Sequence, residues 1–100
     1  MKVSFHPEAE KEFYEAVEYY EKCRKELGLE FAKEVYSTIE RIVGFPQSWS
    51  EVSKNMRRCL VNRFPYGIIY TVRDKEIIIL AVMHLNRKPG YWKERVKEIF

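Results

Sequence analysis

Cysteine is scarce in this chain: among 100 residues only Cys23 and Cys59 occur. They show no CxxC spacing and no clustered histidine partners, which argues against a structural zinc site. Long apolar runs are missing as well. No stretch nears the roughly 20 residues that a membrane span needs, and the N-terminus lacks the basic-then-apolar pattern of an export signal. A cytoplasmic protein with two free thiols is the expectation. There is no glycine-rich phosphate loop, no acidic cluster at metal-ligand spacing and no defensible Ser/His/Asp arrangement. No metal or cofactor is therefore expected. Repeats, low-complexity tracts and linkers are also lacking, so residues 1–100 read as a single domain.

What the chain does have is an uneven charge. Residues 1–50 hold 7 Lys or Arg against 10 Glu, and residues 51–100 hold 11 Lys or Arg against 5 Asp or Glu. The total is only +3, but the second half is basic. A positive working face of this kind suits nucleic acid or an acidic protein.

Local patterns predict the elements. Val3–Phe5 reads as a short strand. Pro7 suits a first helical position, and Glu8, Glu10 and Glu12 suit a first turn facing the helix dipole. Ala9, Phe13, Ala16, Val17, Tyr20 and Leu27 recur at helical spacing, which predicts a helix to about Leu27 with Gly28 as its stop. Phe31, Ala32, Val35, Ile39, Ile42 and Val43 predict a second helix from near Leu29, ended by Gly44 and Pro46. The charged faces of both helices read as solvated surface. Residues 46–56 read as a loop. Arg58–Phe64, Tyr66–Arg73 and Glu76–Met83 read as strands, with Asp74-Lys75 as a two-residue turn and Tyr91–Ile99 as a short final helix. The predicted class is α+β: an N-terminal strand, an antiparallel helical hairpin on one face of a small antiparallel sheet, and a short C-terminal helix.

The end of the last strand concentrates polar chemistry. Ala81-Val82-Met83-His84-Leu85-Asn86-Arg87-Lys88-Pro89-Gly90-Tyr91-Trp92 carries an apolar strand into a cation, a histidine and two aromatics. Groups at a strand end stand on a rigid base, where binding and catalytic residues tend to lie.

Several strings together carry a family resemblance over nearly the whole chain. They are His6-Pro7-Glu8-Ala9, Glu18-Tyr19-Tyr20-Glu21, Arg57-Arg58, Arg63-Phe64-Pro65-Tyr66-Gly67-Ile68-Ile69-Tyr70, and Ala81-Val82-Met83-His84 with Arg87, Pro89, Tyr91 and Trp92. In this order they resemble the RelE/ParE superfamily, the toxin half of type II toxin–antitoxin pairs, of plasmid-stabilisation type. RelE-like members cleave mRNA in the ribosomal A site, whereas ParE-like members inhibit DNA gyrase and are not nucleases. The resemblance implies a cognate antitoxin that wraps the toxin in a hetero-oligomer.

By that resemblance, Arg87 matches an arginine that follows the last strand and Tyr91 a tyrosine four residues on; Arg58 matches a basic residue early on the strand after the helices. Arg58, Arg87 and Tyr91 are the implied catalytic set. Arg57, Arg63, His84, Lys88 and Lys93 are the implied RNA- or target-binding set. Two positions depart, since cations usual in the nucleases fall on Leu60 and Gly67. Other readings stay open: the arginines as an antitoxin-binding or solvated face, His84 as a structural hydrogen-bonding group, and Tyr91 and Trp92 as core. Ribosome-dependent mRNA cleavage is the first expected function. Gyrase inhibition is the alternative, and an inactive antitoxin-binding co-repressor the third.

Overall fold

The computed structural model describes residues 1–98. Its elements are β1 (Lys2–Phe5), α1 (Pro7–Cys23), α2 (Leu27–Gly44), β2 (Ser50–Ser53), β3 (Met56–Leu60), β4 (Tyr66–Arg73), β5 (Glu76–His84) and α3 (Lys93–Lys97). The α+β class is as expected. The sheet is larger than expected, with five strands in the order β1-β5-β4-β3-β2. It is also mixed: β1 lies parallel to β5, while every other pair is antiparallel. Tight turns can join only antiparallel neighbours. The helical hairpin and strands β2 to β4 all lie between β1 and β5 in sequence, so that pair is free of the constraint.

Helix α1 starts where the sequence places it. Pro7 follows an N-cap, His6, whose ring Nδ1 accepts the Glu8 N–H at 3.1 Å. The helix stops at Cys23, short of Leu27, because Arg24 turns extended and Glu26 adopts a left-handed φ of 71°. Glu21 then accepts the Glu26 and Gly28 N–H groups at 2.9 and 3.1 Å, which occupies two donors that the first turn of α2 leaves open. Gly28 therefore does not stop α1. It sits inside α2, where a Cβ would lie 2.5 Å from the Val17 carbonyl oxygen. Its missing side chain is what lets the two helices touch.

Two other boundaries differ from the sequence reading. The expected loop 46–56 contains β2, an edge strand that pairs Ser50 with Arg58 and has one apolar residue, Val52, packed against the second core. Its side chains bury little, so no apolar alternation marks it. Next, β3 runs Met56–Leu60 rather than Arg58–Phe64. Arg63 at φ 72° breaks the extended path before Pro65. The 74–75 turn is as predicted, with both residues left-handed at φ 50° and 62° despite having side chains. The final helix is confined to Lys93–Lys97; the predicted end at Ile99 lies outside the described residues.

The main core lies between hairpin and sheet. Phe13, Phe31, Val35 and Ile42 meet Ile68, Tyr70, Ile77 and Ile79 there, all buried. A second core covers part of the opposite face, where Ile69, Leu80, Met83 and Met56 receive Trp92 from the C-terminal segment. Trp92 is 2% exposed and its Nε1 lies 3.3 Å from the Met83 sulfur. A bulge divides β5: Ile69 pairs with Ala81 but Tyr70 with Ile79. Leu80 and Ala81 consequently both belong to the second face, and the alternation changes phase at that point.

Candidate functional site

The bulge leaves β5 with an edge to satisfy, because β1 ends at Phe5 beside Ile79. Two side chains complete it. Glu12 of α1 accepts the Val82 N–H at 3.0 Å, and Arg95 of α3 donates to the Leu80 carbonyl at 2.8 Å. The two also pair with each other in a fork of 3.0 and 2.9 Å. Both are largely buried, at 14% and 12% exposed. A planar guanidinium on a carboxylate with this geometry is a strong, directional contact.

Arg87 and Tyr91 belong to the same cluster. The Arg87 guanidinium lies 3.5 Å from the Tyr91 ring centroid and Arg95 lies 5.0 Å from it. Arg87 also reaches Glu12 at 3.3 Å. The Tyr91 hydroxyl is buried beside the Glu12 carboxylate. Burial, and then the Glu12 charge beside it, push its phenol well above the usual tyrosine range. A phenol so held is a poor proton carrier near neutral pH. A ring covered by two guanidiniums is also poorly placed to stack on a base.

The remaining sequence candidates spread over the molecule. Arg58 and Lys93 do share a groove on the second face, floored by Ile69, Met83 and Trp92. The Arg58 stem lies over Gly67, where a Cβ would come within 3.1 Å of its Cδ. The glycine at a position where the nucleases carry a cation thus makes room for another cation. Arg57 points elsewhere, donating to the Trp49 carbonyl at 2.7 Å and lying 3.8 Å from Glu51. Arg63 pairs with Glu30 at 2.8 Å and Glu34 at 3.7 Å on α2. His84 packs edge-on against Tyr66, and its Nδ1 accepts the Asn86 N–H at 3.0 Å. Lys88 is exposed.

The structure therefore unites Arg87 with Tyr91 and Arg58 with Lys93, and it sets His84 beside Arg87 in a concavity shared with Glu12, Tyr19 and Tyr66, but it does not bring Arg57, Arg63 and the two pairs into one constellation. Sequence reasoning missed Glu12 and Arg95. In the sequence Glu12 reads as a first-turn acid on a solvated helix face. Yet with Ala9, Phe13 and Ala16 it follows the i, i+3, i+4, i+7 pattern of a buried face, and that was the signal available. Nothing local marks Arg95, which becomes central only through folding. Among the described residues no group of three or more His, Cys, Asp or Glu is placed to hold a metal ion. No described helix is long and apolar enough to cross a membrane.

This fold, a helical hairpin on a sheet whose far face is partly covered by the C-terminal segment, has a counterpart among solved structures. A chain of the solved chromosomal ParDE TA system from P. aeruginosa superposes with a TM-score of 0.69 at 17% identity, over 86% of this chain and 97% of that one. The family model for the ParE toxin of type II toxin–antitoxin system, parDE, matches residues 3–89. The chain belongs to that toxin family, whose members are paired with an antitoxin. No curated protein matches its sequence.

Proposed function

We propose that this chain is a non-enzymatic toxin that arrests growth by binding a protein target, DNA gyrase being the target its family points to. The observation that carries this reading is the state of Arg87 and Tyr91. The two residues that match the nuclease spacing are stacked on each other and tied to Glu12, and the phenol is buried. They work as a structural clasp, which gives ribosome-dependent mRNA cleavage less support than the sequence reading gave it. In the cytoplasm, a cognate antitoxin would hold the toxin in a hetero-oligomer. Leu60 and Leu85 are exposed at 49% and 40% on the same sheet face as Arg58, and they offer an apolar strip beside cations for an acidic amphipathic segment. A single domain spanning 1–100 completes the proposal.

Two assays on one preparation test it. Purified toxin added to gyrase and relaxed plasmid should block supercoiling, while primer extension on a reporter mRNA after brief induction should show intact message. Cuts at in-frame codon positions that vanish in Arg87→Ala would replace this reading with the nuclease one. Unimpaired supercoiling at saturating toxin would remove gyrase as the target.

A further inference from the structure

A second concave site lies away from the Glu12 cluster, between the end of α2, the 45–49 loop and β3. It is a groove of about 230 Å³ lined by Arg41, Ser48, Trp49, Ser50, Arg58 and Asn62, with Leu60. Two arginines line it and no acid does. Among the described residues neither arginine has a carboxylate partner, in contrast to Arg57, Arg63, Arg87 and Arg95.

Arg41 is held firmly. Its Nη2 donates to the Thr38 hydroxyl at 3.0 Å and the Leu60 carbonyl at 3.1 Å. Its guanidinium lies 5.8 Å from the Trp49 ring centroid, and the indole in turn donates to the Arg41 carbonyl at 3.3 Å. Its Nε is nevertheless buried with no partner. A buried donor left unsatisfied is costly. Keeping two like charges on one groove adds to that cost unless an anion enters.

We propose that this groove binds a phosphomonoester. Ser48, Ser50 and Asn62 line the same groove, and their side chains are neutral hydrogen-bond donors. Donors from several directions suit a tetrahedral oxyanion better than a flat carboxylate, which one arginine fork satisfies. The charge fits too: a phosphomonoester carries about −1.5 to −2 at neutral pH, against two guanidiniums, whereas a carboxylate would leave one unbalanced. The volume is several times the share of one water, about 30 Å³, so a phosphate enters with part of the group it esterifies. This proposal does not depend on the identity of the toxin's protein target.

The test is an NMR titration of the full-length chain at constant ionic strength. The probes are inorganic phosphate, adenosine 5′-monophosphate, adenosine and acetate. Saturable shifts of the Trp49 indole N–H and the Arg41 Nε–H are expected with both phosphates, and not with adenosine or acetate. Tighter binding of the nucleotide than of phosphate would identify a small organic phosphoester as the ligand, and equal binding a site for the phosphate group alone. Arg58→Gln should weaken binding roughly tenfold and Arg58→Lys less, since the lysine keeps charge but loses the fork. Lys54→Gln, which removes a cation outside the groove, should change nothing. Signals from the distant β1–β5 pair report that each variant is folded. Shifts that do not saturate, an equal response to acetate, or full binding by Arg58→Gln would each overturn the proposal.

Discussion

Glu12 is the residue on which the C-terminal end of the molecule turns. Its carboxylate serves the backbone of β5 and the guanidiniums of Arg87 and Arg95 at once. Glu12→Gln keeps the shape and an acceptor but leaves Arg95, 12% exposed, without its counter-charge. Breaking a largely buried pair from one side is expensive. We expect a loss of about 2–3 kcal/mol, read as a lower urea midpoint. Arg87 is different. It is 53% exposed, and solvent screens its pairing, so Arg87→Ala should cost less than about 1 kcal/mol in the same measurement. Equal losses for the two variants would mean that the clasp is held by Arg87 rather than by the Glu12–Arg95 fork.

At the scale of elements, two glycines of one helix should respond with opposite sign. Both lie in α2, where alanine is intrinsically better by about 1 kcal/mol. At Gly28 the new Cβ would stand 2.5 Å from a backbone oxygen of α1, and backbone cannot swing aside as a side chain can. Gly28→Ala should push the hairpin apart and destabilise by about 1–3 kcal/mol. At Gly44 a Cβ meets nothing within 4 Å. Gly44→Ala should be neutral or stabilising by up to about 1 kcal/mol. Thermal melts of the two variants beside the parent check both signs. A stable Gly28→Ala protein would show that the helices can separate without loss.

For the whole molecule, alkaline pH is the informative stress. Burial pushes the phenols of Tyr66 and Tyr70 each up to about 12. Tyr91 moves in the same direction. Each folded group keeps its proton where the unfolded chain has lost it. The stability they share is fully present below about pH 10 and is lost as pH rises from there through 12, because the slope follows the protons bound by the unfolded state less those bound by the folded one. Urea midpoints taken from pH 9 to 12 should fall steadily above 10, and less steeply in Tyr70→Phe. At this scale too, the exposed strip of Leu60 and Leu85 should matter to binding and not to folding. Leu60→Glu with Leu85→Glu should leave the melt nearly unchanged and weaken capture by the cognate antitoxin tenfold or more, about 1.4 kcal/mol. Undiminished capture would move the antitoxin to the helical hairpin.

The chain by itself determined the α+β class, the toxin family, the start of α1 at Pro7 and the strands β4 and β5. Those features rest on near-neighbour chemistry: a proline at a first helical turn, apolar residues at a fixed period, a left-handed pair between two strands. Folding decided the rest, for reasons that are not local. β2 is mostly polar because it is an edge, and an edge strand shows itself only by what it pairs with. Gly28 looks like a helix stop until another helix is laid across it. Arg87 and Tyr91 carry a nuclease spacing, but spacing says nothing of what lies opposite. A carboxylate from α1 and an arginine from α3, 83 residues apart in sequence, meet that pair only in the folded chain. Whether a charged side chain is chemistry or structure depends on its counter-charge, and only the tertiary structure brings that counter-charge within reach.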